Sequence, residues 1–213
     1  FLGVGVYRIY YASFEKKGTE SLRGLVFFFG IIFIVEVALI LQYGVDYRLI
    51  EAAYIGQSFQ IGPVGIAFRL LVPFLVAVVL TLALHLFLSK TFYGRAVQAV
   101  SQDSLALRLM GADPIRIKTL AFGLGIATAS LAGALLIVIG PVEPSMNREY
   151  IGRVFAIAVL GGMGNIGGTF LAALILGVVE SLMSTFYGPS WALAVSFGGL
   201  LLTLAVRPAG LFG

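Results

Sequence analysis

The sequence contains no cysteine in 213 residues, which excludes disulfides and thiolate metal sites and leaves the redox compartment unmarked. Charge is the next shortage: Asp, Glu, Lys and Arg make up 11% of the chain, against about 25% in a soluble domain. There is no G-x-x-x-x-G-K-[ST] phosphate loop, because the densest glycine run continues into Thr169-Phe170 without the lysine that reaches phosphate. HExxH, paired histidines and nucleophile motifs are also missing, so membrane-embedded enzymes find no support. What is abundant is apolar: 60% of residues are hydrophobic, mean hydropathy is +1.03, and 27 residues are glycine. The chain therefore belongs in a bilayer. Its net charge of +4 is small, and its lysines and arginines cluster by side of the membrane, which speaks for topology and against a nucleic-acid partner.

Crossing about 30 Å of hydrocarbon takes about 20 mostly apolar residues. Segments 25–42, 66–89, 119–139 and 165–186 meet or approach that length, and a shorter one covers 191–206. Residues 1–13 read as the tail of a membrane helix entering the cytoplasm. They are apolar from Phe1, and Arg8, Lys16 and Lys17 come at or after the end of the run, the reverse of a signal peptide. With no initiating methionine, the expectation is an N-terminally incomplete chain. Residues 153–162 are too short to cross and read as a re-entrant half-helix. The expected fold is an all-α integral membrane protein, a polytopic transmembrane helix bundle forming a single domain over 1–213. Residues 8–24, 90–118 and 207–213 hold ten of the fourteen lysines and arginines, which makes that side cytoplasmic. In span 119–139, Ala121, Gly125, Ala129 and Gly133 recur every four residues, a small-residue seam suited to close helix packing within the bundle.

Three places carry candidate function. The loop "GRAVQAVSQDSLALRLMGADPIRIK" (94–118) is far longer than a connector needs to be. Within it Asp103 can cap a short helix running from Ser104, and Gly111 can end it before Asp113-Pro114 stops propagation. Leu105 and Leu109 share one face, Ala106 and Met110 the adjacent one, and Arg108 points elsewhere. So short a helix is marginal alone, so something must pack on its stripe. Lipid surface and a groove on a cytoplasmic protein both fit.

The second place is "GMGNIG" (162–167), which matches G-x-G-x-x-G with Glu180 downstream. That fingerprint has meaning only between a strand and a helix of a soluble βαβ unit, whereas the residues that follow are apolar all round. Gly162, Gly164 and Gly167, with Asn165 between them, read instead as a helix break at membrane depth that can line a pathway or simply form a turn. The third place is the set of ionisable residues inside spans: Glu36, His85 and Glu180. His85 lies near an interface. Glu180 is near the outer end of its helix, and Glu36 is deep enough to be a cavity-lining or proton-accepting group.

The stretch "YGRAVQAVSQDSLALRLMGADPIRIKTLAFGLG" resembles the cytoplasmic loop of permeases from branched-chain amino acid ABC importers. "FAIAVLGGMGNIGGTFLAALILGVVES" and the closing "RPAGLFG" resemble the same family in order and spacing, and "VYRIYYASF" is similar to the basic stretch after an early span. The resemblance implies a multi-pass subunit of a prokaryotic inner membrane that passes branched-chain or related amino acids. It implies a second homologous permease, ABC ATPase subunits, an extracytoplasmic solute-binding protein and lipid as partners. ATP and magnesium would sit on the ATPase, with no cofactor bound by this chain. Asp103, Ser104, Leu105, Ala106, Leu109, Met110 and Gly111 would form the helix that docks into the ATPase. A permease of the same family for urea or short amides, and an ion-coupled carrier using Glu36 or Glu180, are the alternatives.

Overall fold

The computed structural model describes residues 1–15, 21–49, 58–61, 64–207 and 210–211; Lys16, Lys17 and most of the closing "RPAGLFG" lie outside them. Among the described residues the elements are α1 (Leu2–Ser13), α2 (Ser21–Tyr43), β1 (Ser58–Ile61), β2 (Val64–Ala67), α3 (Phe68–Lys90), α4 (Phe92–Gln102), α5 (Ser104–Leu109), α6 (Pro114–Ile139), α7 (Asn147–Gly161), α8 (Ile166–Tyr187) and α9 (Pro189–Val206). Five of these, α2, α3, α6, α8 and α9, are long and apolar enough to cross a membrane. The protein is an all-α polytopic membrane protein. Its chain folds as two compact units, one of residues 1–79 and 87–144, the other of residues 80–86 and 145–213.

In the first unit α1 lies against α6 where two glycines meet. A Cβ on Gly3 would stand 3.0 Å from the Gly123 Cα, and Gly123 in turn faces Val4. Beside this contact Tyr7 and Tyr10 of α1, with Phe14 at its C-terminal cap, stack with Phe27 and Phe28 of α2 and with Phe122 of α6, at centroid separations of 5.1 to 6.1 Å. The expected seam at Ala121, Gly125, Ala129 and Gly133 is not what packs within the unit. Gly125 and Gly133 meet nothing within 4 Å, and the helix contact uses Gly123, about 200° round the helix from Ala121.

Two boundaries differ from expectation for physical reasons. Ile66 and Ala67, counted into a span, belong to β2, which pairs antiparallel with β1 (Ser58 opposite Ala67, Ile61 opposite Val64); a short apolar run does not distinguish strand from helix. α7 starts at Asn147, six residues before the expected half-helix. Its first turns, "NREYIGR", are polar and so escape a hydropathy reading, yet Glu149 and Arg153 are spaced i, i+4 as a helix favours.

In the second unit α7, α8 and α9 pack around Ala156, Leu160, Ala172 and Leu176. The Phe197 ring covers Gly152. α8 and α9 turn back on each other through Gly188, which has φ +103° and leads into Pro189.

Candidate functional site

The loop between α3 and α6 folds into a small platform. Thr91 caps α4, its Oγ1 accepting from the Gly94 N–H at 3.0 Å. Asp103 then caps α5, its Oδ1 accepting from Leu105 N–H at 2.8 Å and Ala106 N–H at 3.0 Å. The helix ends in a Schellman arrangement. Gly111, at φ +83°, donates to the Arg108 carbonyl at 3.1 Å and Ala112 donates to the Leu107 carbonyl at 3.3 Å. Two residues on, Asp113 caps α6 through Ile115 N–H at 3.0 Å, with Pro114 in the first turn. Capping at both ends lets a six-residue helix persist where it would otherwise melt.

What pins α5 to the chain is Leu107, a residue outside the stripe seen in the sequence. It is 7% exposed and packs with Ala96 and Val100 of α4 and Ile117 of α6. Leu105, Leu109 and Met110 stand 67%, 82% and 84% exposed. The i, i+4 pair Ala96 and Val100 in "GRAVQAVSQ" was the sequence signal for this anchor. One inward leucine and three outward apolar side chains give α5 a fixed base and a free apolar face.

The platform is tied to α1 at its base. Lys118 of α6 forms an ion pair with Glu15, whose other oxygen accepts from the Tyr7 hydroxyl at 2.7 Å. A cavity of about 210 Å³ lies here, lined by Tyr11 and Glu15 on one side and Leu105 and Arg108 on the other.

The glycine run forms a tight turn. Gly162 and Gly164 have φ +83° and +95°, conformations that side-chain-bearing residues rarely adopt. Asn165 caps α8, its Oδ1 accepting from Gly168 N–H at 2.9 Å. The element before the turn is helix α7, so the strand that a dinucleotide fingerprint needs is absent there. A Cβ on Gly161 would overlap Thr169, and one on Gly210 would come within 2.6 Å of the Gly162 Cα; Leu211 N–H donates to the Leu160 carbonyl at 2.8 Å. The turn and the closing "GL" are therefore one structural unit, a link not visible in the sequence. Both lie just past the end of α9. Met163, Gly164 and Asn165 are exposed, and Gly167 is half-buried.

The ionisable residues separate. Glu36 is buried in α2, 7% exposed, within the first unit. Glu180 belongs to the second unit, where its Oε1 accepts from the Ser196 hydroxyl of α9 and its Oε2 lies 3.2 Å from Arg153 Nε of α7. Arg153, expected at the start of the half-helix 153–162, lies six residues inside α7, and neither it nor Ser196 stood out in the sequence as a site residue. The pair is half-buried, so removing one partner leaves the other charge without its counter-ion but still within reach of water. Among the described residues no cluster of three His, Asp or Glu side chains is placed to hold a metal ion.

The family described as the permease component of the branched-chain amino acid transport system matches residues 6–205, across both units. The chain belongs to this family. It is 35% identical over 159 residues to the high-affinity branched-chain amino acid transport system permease protein BraD of Pseudomonas aeruginosa, a match covering 74% of the chain and 52% of BraD. It is 38% identical over 133 residues to permease LivH of Salmonella typhimurium, covering 62% and 43%. Permease LivM of the same organism is 39% identical over 140 residues, covering 64% and 32%. The chain spans about half the length of the first of these relatives and less of the other two. No solved structure matches it. As a member of the family with five helices among the described residues long and apolar enough to span, it is a multi-pass inner-membrane protein.

Proposed function

We infer that this permease is the non-catalytic membrane subunit of an ATP-driven importer and forms part of the path taken by a branched-chain amino acid. Family membership supports the transport role, and the geometry of α5 supports the coupling. A capped helix carries three apolar side chains outward, where a groove on an ATPase subunit would bury them. ATP and magnesium would bind to that partner. Similarity to both LivH and LivM supports a second, related permease as neighbour, and an external binding protein would deliver the solute.

In this reading Asp103 through Gly111 form the coupling helix. When the ATPase pair closes, α5 is displaced. Because Leu107 locks α5 onto α4 and the first turn of α6, the displacement enters a 26-residue spanning helix as a rigid-body motion. Proteoliposomes holding the assembled transporter are expected to accumulate leucine when ATP is enclosed and the binding protein is outside, and to stop with ADP. Leucine accumulation driven by an ion gradient, with no ATPase subunit present, would overturn this function in favour of an ion-coupled carrier.

Gly162, Gly164, Asn165 and Gly167 are assigned to the pathway on the same reading. A Cβ on Gly164 would meet nothing within 4 Å, so a side chain starts into open space and carries the conformational cost of the positive φ, about 1–2 kcal/mol. Gly164→Leu is expected to assemble normally and to lower uptake by about tenfold or more, the loss that about 1.4 kcal/mol of added barrier produces. Uptake equal to the parent's would leave 162–167 as a turn away from the path.

A further inference from the structure

We propose that Glu149, Arg153 and Glu180 form a recognition site for a zwitterion, taking the α-ammonium and α-carboxylate of the transported amino acid near the start of α7. The inference rests on the transport function above and names residues that function did not use. Arg153 lies between two carboxylates: Glu180 Oε2 at 3.2 Å from Nε, and Glu149 Oε1 at 3.9 Å from Nη2. Its guanidinium also sits 5.6 Å from the Tyr150 ring centroid. Arg148, the next cation along α7, stands about 100° round the helix from Glu149.

Two features separate this cluster from a closed structural clasp. Two carboxylates share one guanidinium, leaving a surplus acceptor suited to an ammonium group. Arg153 Nε is buried and, although close to Glu180, is not aligned to donate a hydrogen bond, so the pair is no closed clasp and the Nη groups are the donors left for a carboxylate. Access is also retained, since the Arg153 side chain is 24% exposed and that of Glu149 52%. Glu180 is held in place from behind by Ser196, which is fully buried.

Location agrees. Arg153 is six residues from the start of α7 and Glu180 seven from the end of α8, so both lie about 10 Å in from those helix ends. The lysine and arginine bias assigns those ends to the outside, where solute arrives. A zwitterion leaving water for a path of low dielectric needs partners for both charges at once. This cluster offers one of each sign.

The test uses the assembled transporter with its binding protein in proteoliposomes and radiolabelled L-leucine. Two double variants are compared with the parent: Arg153→Met with Glu180→Leu, which keeps the bulk and removes the charges, and Arg153→Glu with Glu180→Arg, which keeps an ion pair but reverses it. Both are expected to assemble in parental yield, because an apolar or reversed pair satisfies packing. Both are expected to retain ATP hydrolysis stimulated by loaded binding protein, because α5 is untouched, and to import leucine about tenfold more slowly or worse. Parental uptake by either variant overturns the proposal, since a pure clasp is rescued by packing or by reversal. Failure of both to assemble likewise assigns the cluster a structural role and overturns it. A parental transporter that moves no amino acid at all refutes the transport function beneath the proposal, a result distinct from a failure confined to the variants.

Discussion

Leu105→Asp combined with Leu109→Asp is expected to leave the permease folded and inserted while nearly abolishing ATP-dependent uptake. Both side chains are more than half exposed and neither belongs to the cluster of Ala96, Val100, Leu107 and Ile117. Exposed substitutions of this kind shift stability by about 0.5 kcal/mol or less. Docking is another matter. Each leucine lost from the centre of an apolar contact costs about 2 kcal/mol, and a carboxylate forced into the same groove adds a desolvation penalty. Together these weaken association by about a thousandfold. Co-purification of the ATPase, stimulated ATP hydrolysis and leucine uptake should all fall together. Unchanged stimulation and uptake would show that α5 faces lipid rather than a protein groove. Leu107→Asp is the contrasting control: it buries a charge in the platform and should unfold the loop itself.

Gly161→Ala should give a large loss of stability for a single added methyl in the second unit. The new Cβ would overlap backbone atoms of Gly168 and Thr169, so α7 and α8 would have to separate, and no rotamer change can relieve a backbone contact. Overpacking of this kind costs about 3 kcal/mol, which for a chain of this size lowers the unfolding midpoint by about 6–12 °C. Thermal unfolding of the detergent-solubilised protein measures it. Gly164→Ala, three residues along the same turn, has open space and should cost only about 1 kcal/mol for its backbone conformation. Equal midpoints for the two variants would mean that α7 and α8 do not meet at Gly161.

The platform shows how far residue patterns carry. Asp103, Gly111 and Asp113-Pro114 announce where α5 begins, where it ends and where α6 starts, because caps and breakers act over three or four residues. Leu107 was invisible by the same logic. A six-residue helix has no periodicity long enough to reveal which side faces inward, and only Ala96, Val100 and Ile117, brought in from two other helices, settle that. The start of α7 was set six residues late for a related reason: polar first turns look like loop when hydropathy is the measure, although backbone hydrogen bonding continues through them.

Local chemistry along the chain was enough to establish a membrane protein, its spanning segments to within a few residues, the capped helix in its long loop and the family motifs. These depend on composition and on contacts between near neighbours. The pairing of Glu180 with Arg153 and Ser196, the lodging of Gly210 against Gly162, and the use of Gly123 rather than the neighbouring small-residue seam were decided only by tertiary structure. Each joins residues from separate helices, and in an apolar chain many faces are alike enough that side-chain shape and the few buried charges choose among them.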